Sequence, residues 1–184
     1  MTSSKLFSPE SKNFLSPVGF KFIIERIPTV DFFCQSVNIP EMSIGVRTID
    51  NRVKAYDVPG DKMTQGDLQL SFMINENMDN FYEVYNWLKG LTNPKSERQF
   101  FDYINTVDEP GRKSSFNKIT TDAQLKILDS NFNTITTAKF LNIFPVSLSG
   151  VRFTADANDI DYVTADATFK YTLMEFINSD GKII

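Results

Sequence analysis

The chain contains no histidine, and a single cysteine and a single tryptophan in 184 residues. Without histidine it lacks the usual general base, the usual zinc ligand and the side chain that titrates near neutral pH. One cysteine, Cys34, excludes an internal disulfide or a thiolate cluster and fits a reducing compartment. With no imidazole to activate it, Cys34 reads as a small buried residue rather than a nucleophile. No apolar run approaches the roughly 20 residues that span a bilayer, so no membrane insertion is expected. The opening stretch, MTSSKLFSPESKNFLSP, has no continuous apolar segment and reads as a mobile arm over residues 1–16, not a signal peptide. Phosphate-binding loops, dinucleotide fingerprints, nucleophile elbows and HExxH pairs are all missing. The acidic run DANDID offers Asp156, Asn158 and Asp161 as oxygen ligands. It lacks the glycine and closing glutamate of a calcium loop and reads as a solvated turn. No cofactor, metal or catalytic residue is therefore expected, and the chain reads as a non-enzyme.

Phenylalanine, by contrast, is abundant: 17 residues, which points to a β-rich core or a large interface. Nineteen basic residues against 23 acidic ones leave a formal charge of −4. That balance repels nucleic-acid phosphates and disfavours ordinary DNA binding. Arg112, Lys113 and Lys118 beside Phe116 are too sparse a signal to reverse it. The length is that of one domain.

Periodicity fills in the elements. Leu68, Leu70, Phe72 and Ile74 alternate with Asp67, Gln69, Ser71 and Met73 as a strand, and Asp79 suits a helix N-cap. Phe81, Val84, Tyr85 and Leu88 then fall at helical spacing, with Gly90 as the stop. Val18–Ile27 and Asp31–Ile39 read as two strands joined by a tight turn at Pro28. Residues 43–65 form a ribbon that is strand-prone yet heavily charged, with bends expected at Asp50-Asn51 and at Pro59-Gly60-Asp61. Residues 92–121 read as a loop or insertion with a short helix near Glu97–Ile104. Asp122–Phe140 is a hairpin turning at Ser130-Asn131, Leu141–Phe153 irregular extended chain, and Tyr162–Ile177 one long final strand. The fold class is mainly β: two packed antiparallel sheets in a sandwich or barrel, one flanking α-helix and a long charged hairpin arm.

In order, FFCQSVNIPEMSIG, the ribbon NRVKAYDVPGDKMTQGDLQLSFM, the helix FYEVYNWL and the closing FLNIFPVSLSGVRFTADANDIDYVTADATFKYTLMEF resemble the tail tube proteins of contractile-tailed bacteriophages. The similarity runs over roughly Pro17–Ile177, and the relatives include tube proteins of type VI secretion and tailocins. It implies hexameric rings whose sheets form one inner barrel, stacked into a hollow tube that conducts DNA. The implied partners are further copies of the chain, a sheath protein, a baseplate tube initiator, a tape measure protein and transiting DNA. The implied location is a virion tail assembled in the host cytoplasm. The ribbon would join rings through Arg47, Asp50, Arg52, Lys54, Asp57, Asp61 and Lys62. Polar strand faces would line the lumen: Lys21, Glu25, Asp67, Gln69, Ser71, Thr164, Asp166, Thr168, Lys170 and Thr172. Glu83, Asn86 and Lys89 on the helix would meet the sheath. Two alternatives stand beside this: a baseplate or tube-end homologue, and a monomeric β-sandwich binding module, which would need clustered exposed aromatics.

Overall fold

The computed structural model describes residues 14–92, 98, 119–153, 162–179 and 181–184. The first strand, β1 (Phe20–Ile24), buries Phe22 and Ile24 and leaves Lys21 in water, as its alternation requires. No hairpin follows. Pro28 opens a short helix, α1 (Pro28–Phe33), because its fixed φ and missing N–H suit the first helical position as well as they suit a turn. The next strand, β2 (Cys34–Val37), therefore pairs not with β1 but with β5 (Leu68–Met73). Between them the chain makes β3 (Met42–Ile49) and β4 (Tyr56–Gln65), which among the described residues pair only with each other.

The helix α2 (Asp79–Leu91) begins where expected but is held differently. Met78, with φ 59°, occupies the N-cap, and Asp79 is the first helical residue. The entry is fixed by Asn80, fully buried, whose Nδ2 donates to the Met73 carbonyl at 2.7 Å. Its Oδ1 accepts from the Phe81 and Asn75 amides at 2.9 and 3.3 Å. The buried stripe is Asn80, Val84, Trp87 and Gly90. Tyr85, expected inside, is about half exposed, and Gly90 lies within the helix instead of ending it. The stripe is rotated because Trp87 has more area to bury than Tyr85 and leads the packing. Its indole lies 6.0 Å from the Phe169 ring and its Nε1–H donates to the Ile119 carbonyl at 2.9 Å.

The remaining strands are β6 (Thr121–Leu128), β7 (Thr134–Leu148), β8 (Thr164–Lys170) and β9 (Leu173–Asn178). The β6–β7 hairpin turns over residues 129–133, with Asp129 accepting from the Asn131 and Asn133 amides. Those hydrogen bonds lower the Asp129 pKa. Strand β7 does not stop near Leu141 but continues to Leu148. Its first part pairs with β6 and β9, and Phe144–Leu148 pairs with β8. At the switch stands Asn142 with φ 53°, a conformation asparagine tolerates better than most residues. The Asn142 amide donates to Asp122 Oδ1 at 3.1 Å, and its side-chain oxygen accepts from Thr120 Oγ1 at 3.4 Å.

Two antiparallel sheets thus share β7: β1–β6–β7–β9, the first sheet, and β7–β8–β5–β2, the second. The expected long last strand is two strands, broken at Tyr171 and Thr172 where the chain crosses from the second sheet to the first. The break changes the phase of burial. Ala165, Ala167 and Phe169 point inward on β8, whereas Met174 does so on β9 and Leu173 is exposed. Inward side chains of both sheets and of α2 form one core, including Phe22, Phe72, Phe140 and Phe169. Each fully buried phenylalanine stabilises the fold by about 2 kcal/mol.

Asp31 on α1 accepts from the Ile24 amide at 2.7 Å. Burial raises its pKa to about 6, opposed by that hydrogen bond and by Lys21. A pKa raised on folding means stability that is complete below the unfolded value of 3.8 and is lost as pH rises through about 6. Acidifying from pH 7 to pH 4 should therefore stabilise wild type relative to Asp31→Asn. Partial exposure holds the difference to about 1 kcal/mol. Thermal melts of both proteins across that range check this; parallel curves would remove the role assigned to Asp31.

Candidate functional site

The outer face of the second sheet is built by the side chains that alternate with the core. The register sets Gln69 beside Thr168, Ser71 beside Asp166 and Met73 beside Thr164. Asp67 and Lys170 form an ion pair at one end of this face. Asn38, just past β2, holds the edge: its Nδ2 donates to the Asp67 carbonyl at 3.1 Å and its Oδ1 accepts from the Gln69 amide at 2.6 Å. Ser149 Oγ accepts from the Asp166 amide at 2.8 Å. The result is a trough of about 530 Å³ whose polar lining comes from Ser36, Asn38, Gln69, Ser71, Asp166 and Thr168. Hydroxyls and amides dominate it, with the Asp166 carboxylate among them, and the Asp67–Lys170 ion pair lies beyond its lining. Such a wall is polar and carries one carboxylate, Asp166, with no cluster of like charge.

The structure does not bring all the candidate lumen residues together. Gln69, Ser71, Thr164, Asp166, Thr168, Asp67 and Lys170 share the second sheet's outer face, with Thr172 exposed at the β8–β9 corner. Lys21 belongs to the first sheet, directly across from Lys126, and Glu25 follows the end of the same strand. The two inner faces meet in one core, so the outer faces point in opposite directions. Lys21 and Glu25 cannot line the same surface as the others. Period two identified polar faces correctly but carried no information on which sheet each strand would join. Ser36 and Asn38 join the second sheet's outer face as well, because β2 pairs with β5 and sets Ser36 beside Ser71.

All the candidate ring-joining residues are exposed on the β3–β4 hairpin. Pro59-Gly60-Asp61 is no turn; it lies inside β4, where two extra residues bulge opposite Gly45. The bend is over residues 50–55, which carry Asp50, Arg52 and Lys54. Thr48 Oγ1 donates to Asp57 Oδ1 at 2.6 Å across the pair. Arg47 and Asp57 fall on opposite faces, because Arg47 pairs with Val58 and Thr48 with Asp57. Emphasis on charge hid the apolar side chains interleaved with it: Met42, Ile44, Val46 and Met63 are each more than half exposed.

On α2, Asn86 is exposed, Lys89 half-buried, and Glu83 turned inward to accept from Thr29 Oγ1 of α1. Tyr82 and Tyr85 stand about half exposed on the outer side, where the sequence had suggested only charged and amide residues. Cys34 is half-buried, and burial with the nearby Asp31 charge pushes its thiol up to about 12. A thiol so held is protonated at neutral pH and is no nucleophile. Among the described residues no three histidine, cysteine or carboxylate side chains gather as a metal site. Asp156, Asn158 and Asp161 lie outside the described residues, as do Arg112, Lys113, Phe116, Lys118 and nearly all of residues 92–121.

Among the described residues the second sheet has a polar outer face, and the β3–β4 hairpin pairs with itself. The sequence pattern of the phage tail tube proteins matches residues 6–175. The chain belongs to the phage tail tube protein family. This family is structural, and the chain is not an enzyme. Among solved structures, it resembles the tube-terminating cap of the anti-feeding prophage, with TM-score 0.64 and 10% identity over 97% of this chain and 100% of the cap. A chain of the extended sheath–tube complex of the PVC extracellular contractile injection system gives TM-score 0.55 and 18% identity, covering 91% of this chain and 93% of that one. The PVC sheath/tube terminator structure gives 0.55 and 19%, with 90% and 99% covered. At these identities the likeness is one of fold. No curated protein sequence matches significantly. Among the described residues no helix of this tail tube protein is long and apolar enough to cross a membrane.

Proposed function

We propose that this tail tube protein forms hexameric rings that stack into the hollow inner tube of a contractile tail and conduct DNA. The single observation that carries this reading is the second sheet. Its outer face is polar along β5 and β8, and its edges are incomplete. Among the described residues, strand β2 is paired on one side only, and Phe144–Leu148 of β7 pairs with β8 alone. Pairing these edges between neighbours would close a ring and satisfy the unpaired backbone groups. The outer faces of all copies would then form the wall of the lumen, with Gln69, Ser71, Asp166 and Thr168 toward the cargo. The first sheet and α2 would face outward, where Asn86 and Tyr82 are available to a sheath protein. The hairpin supports ring-to-ring contact through Arg47, Asp50, Arg52, Lys54, Asp57, Asp61 and Lys62. A tape measure protein and then DNA would occupy the lumen, and a baseplate initiator would start the stack during assembly in the host cytoplasm.

A second reading, a tube-end subunit, is favoured by the full-length likeness to a terminating cap. A cap needs one stacking surface, whereas a tube subunit needs two. Electron microscopy of the purified protein over a range of concentrations, beside light-scattering mass, tests the assignment. Hollow tubes with six-fold end views are the expected result, and isolated rings would select the tube-end reading. A chain that stays monomeric even with an added baseplate seed would overturn both and leave a monomeric binding module.

A further inference from the structure

The hairpin carries a surface that its charges obscure. By the register of β3 on β4, Met42, Ile44 and Val46 share one face with Met63 and Pro59. Met42, Ile44, Val46 and Met63 are 51%, 57%, 66% and 56% exposed. An apolar strip of this kind, rimmed by charge, marks a contact surface. Asp57 lies on the same face, bonded to Thr48, while Arg47 lies on the other.

An apolar groove of about 470 Å³ runs between α2 and the end of β7, lined by Phe81, Tyr85, Leu88 and Leu148 with Lys89 among them. The topology sets hairpin and groove toward opposite ends of the second sheet. Strand β2 passes from Cys34, beside Phe72, to Val37, beside Leu70, so the chain leaves for the hairpin at the end holding Leu68 and Phe169. Strand β7 starts at that end with Phe144, opposite Lys170, and runs away from it to Leu148, opposite Ala167. An apolar ribbon projecting at one end and an apolar groove toward the other are heterologous surfaces. Joined head to tail, they generate an open stack rather than a closed pair.

We infer that the Met42, Ile44, Val46 and Met63 face of one copy seats in the α2–β7 groove of a second copy in the adjacent ring, with Asp57 against Lys89. This rests on the reading of the hairpin as a stacking arm and adds the face it uses and the surface that receives it. Charge selects the face: the apolar side carries Asp57, which suits a groove bearing Lys89, whereas the opposite side would present Arg47 to that lysine.

The test uses the full chain with Cys34→Ser, Met63→Cys and Tyr85→Cys, assembled and then oxidised. A ladder of disulfide-linked copies on a non-reducing gel is expected, absent from either single-cysteine chain. Lys89→Glu is expected to raise the concentration needed for assembly at least tenfold, and Asp57→Lys on that background to restore it. Tubes that form without the ladder and are indifferent to Lys89→Glu would overturn this inference and leave stacking intact. A link formed within monomers would overturn it as well. A wild-type chain that forms neither rings nor tubes, even when seeded, would withdraw the stacking reading and this one with it.

Discussion

Trp87→Ala is expected to lose about 4 kcal/mol of folding stability, the range measured for large aromatic residues removed from a core. The indole is 2% exposed and joins α2 to the second sheet through Phe169. Truncation leaves a cavity that Val84 and Phe169 cannot fill without moving backbone, and it deprives the Ile119 carbonyl of its donor. The guanidinium of Arg26, 5.1 Å from the ring centroid, loses a cation–π contact as well. Trp87→Phe keeps most of the area and drops the hydrogen bond, so it should cost about 1–2 kcal/mol. Tyr85→Ala, two positions away but outward, should stay within about 0.5 kcal/mol of wild type. Urea unfolding of the three variants under dilute, unassembled conditions checks the order. Equal losses for Trp87→Ala and Tyr85→Ala would mean that the helix is rotated from the orientation described.

Gly60→Ala is expected to abolish or greatly weaken assembly while leaving the core intact. A Cβ at this position would stand 2.5 Å from the Gly45 carbonyl oxygen, a backbone atom with nowhere to go. The bulge must then open, shifting Val46 and Pro59 out of register and splitting the apolar face they share with Ile44 and Met63. Gly45 is the control: nothing lies within 4 Å of its added Cβ, so Gly45→Ala should assemble much as wild type does. The hairpin packs outside the core, and the melting temperature of the Gly60→Ala monomer should match wild type within about 2 °C. The measurement is the concentration at which light scattering first reports polymers, expected to rise at least tenfold. Normal tubes from Gly60→Ala would remove the hairpin from the stacking interface.

Much of this molecule can be read from local pattern. The alternation in Phe20–Ile24, Leu68–Met73 and Thr164–Lys170 assigns core and solvent faces correctly, because a two-residue period needs no knowledge of partners. The β6–β7 turn is equally legible, since Asp129 accepts from the Asn131 and Asn133 amides within it. Proline is where local reading failed: Pro28 opens a helix and Pro59 sits in an edge hairpin, both permitted by the same fixed φ that suggested turns.

What only the tertiary structure decided is which strands meet. The sequence by itself determined a β-rich, histidine-free, non-catalytic chain with polar strand faces, a charged ribbon and one amphipathic helix. It could not place β2 beside β5, carry β7 through the bend at Asn142 into a second sheet, or break the final strand at Tyr171 and Thr172. Those choices depend on long-range pairing and on filling one core, and they separate Lys21 and Glu25 from the other polar positions. They also turn Trp87 inward and Tyr85 outward, and set the apolar hairpin face and the α2–β7 groove toward opposite ends of a sheet. Residue type and spacing carry the chemistry of each surface; the surfaces themselves arise only when strands distant in sequence share a core.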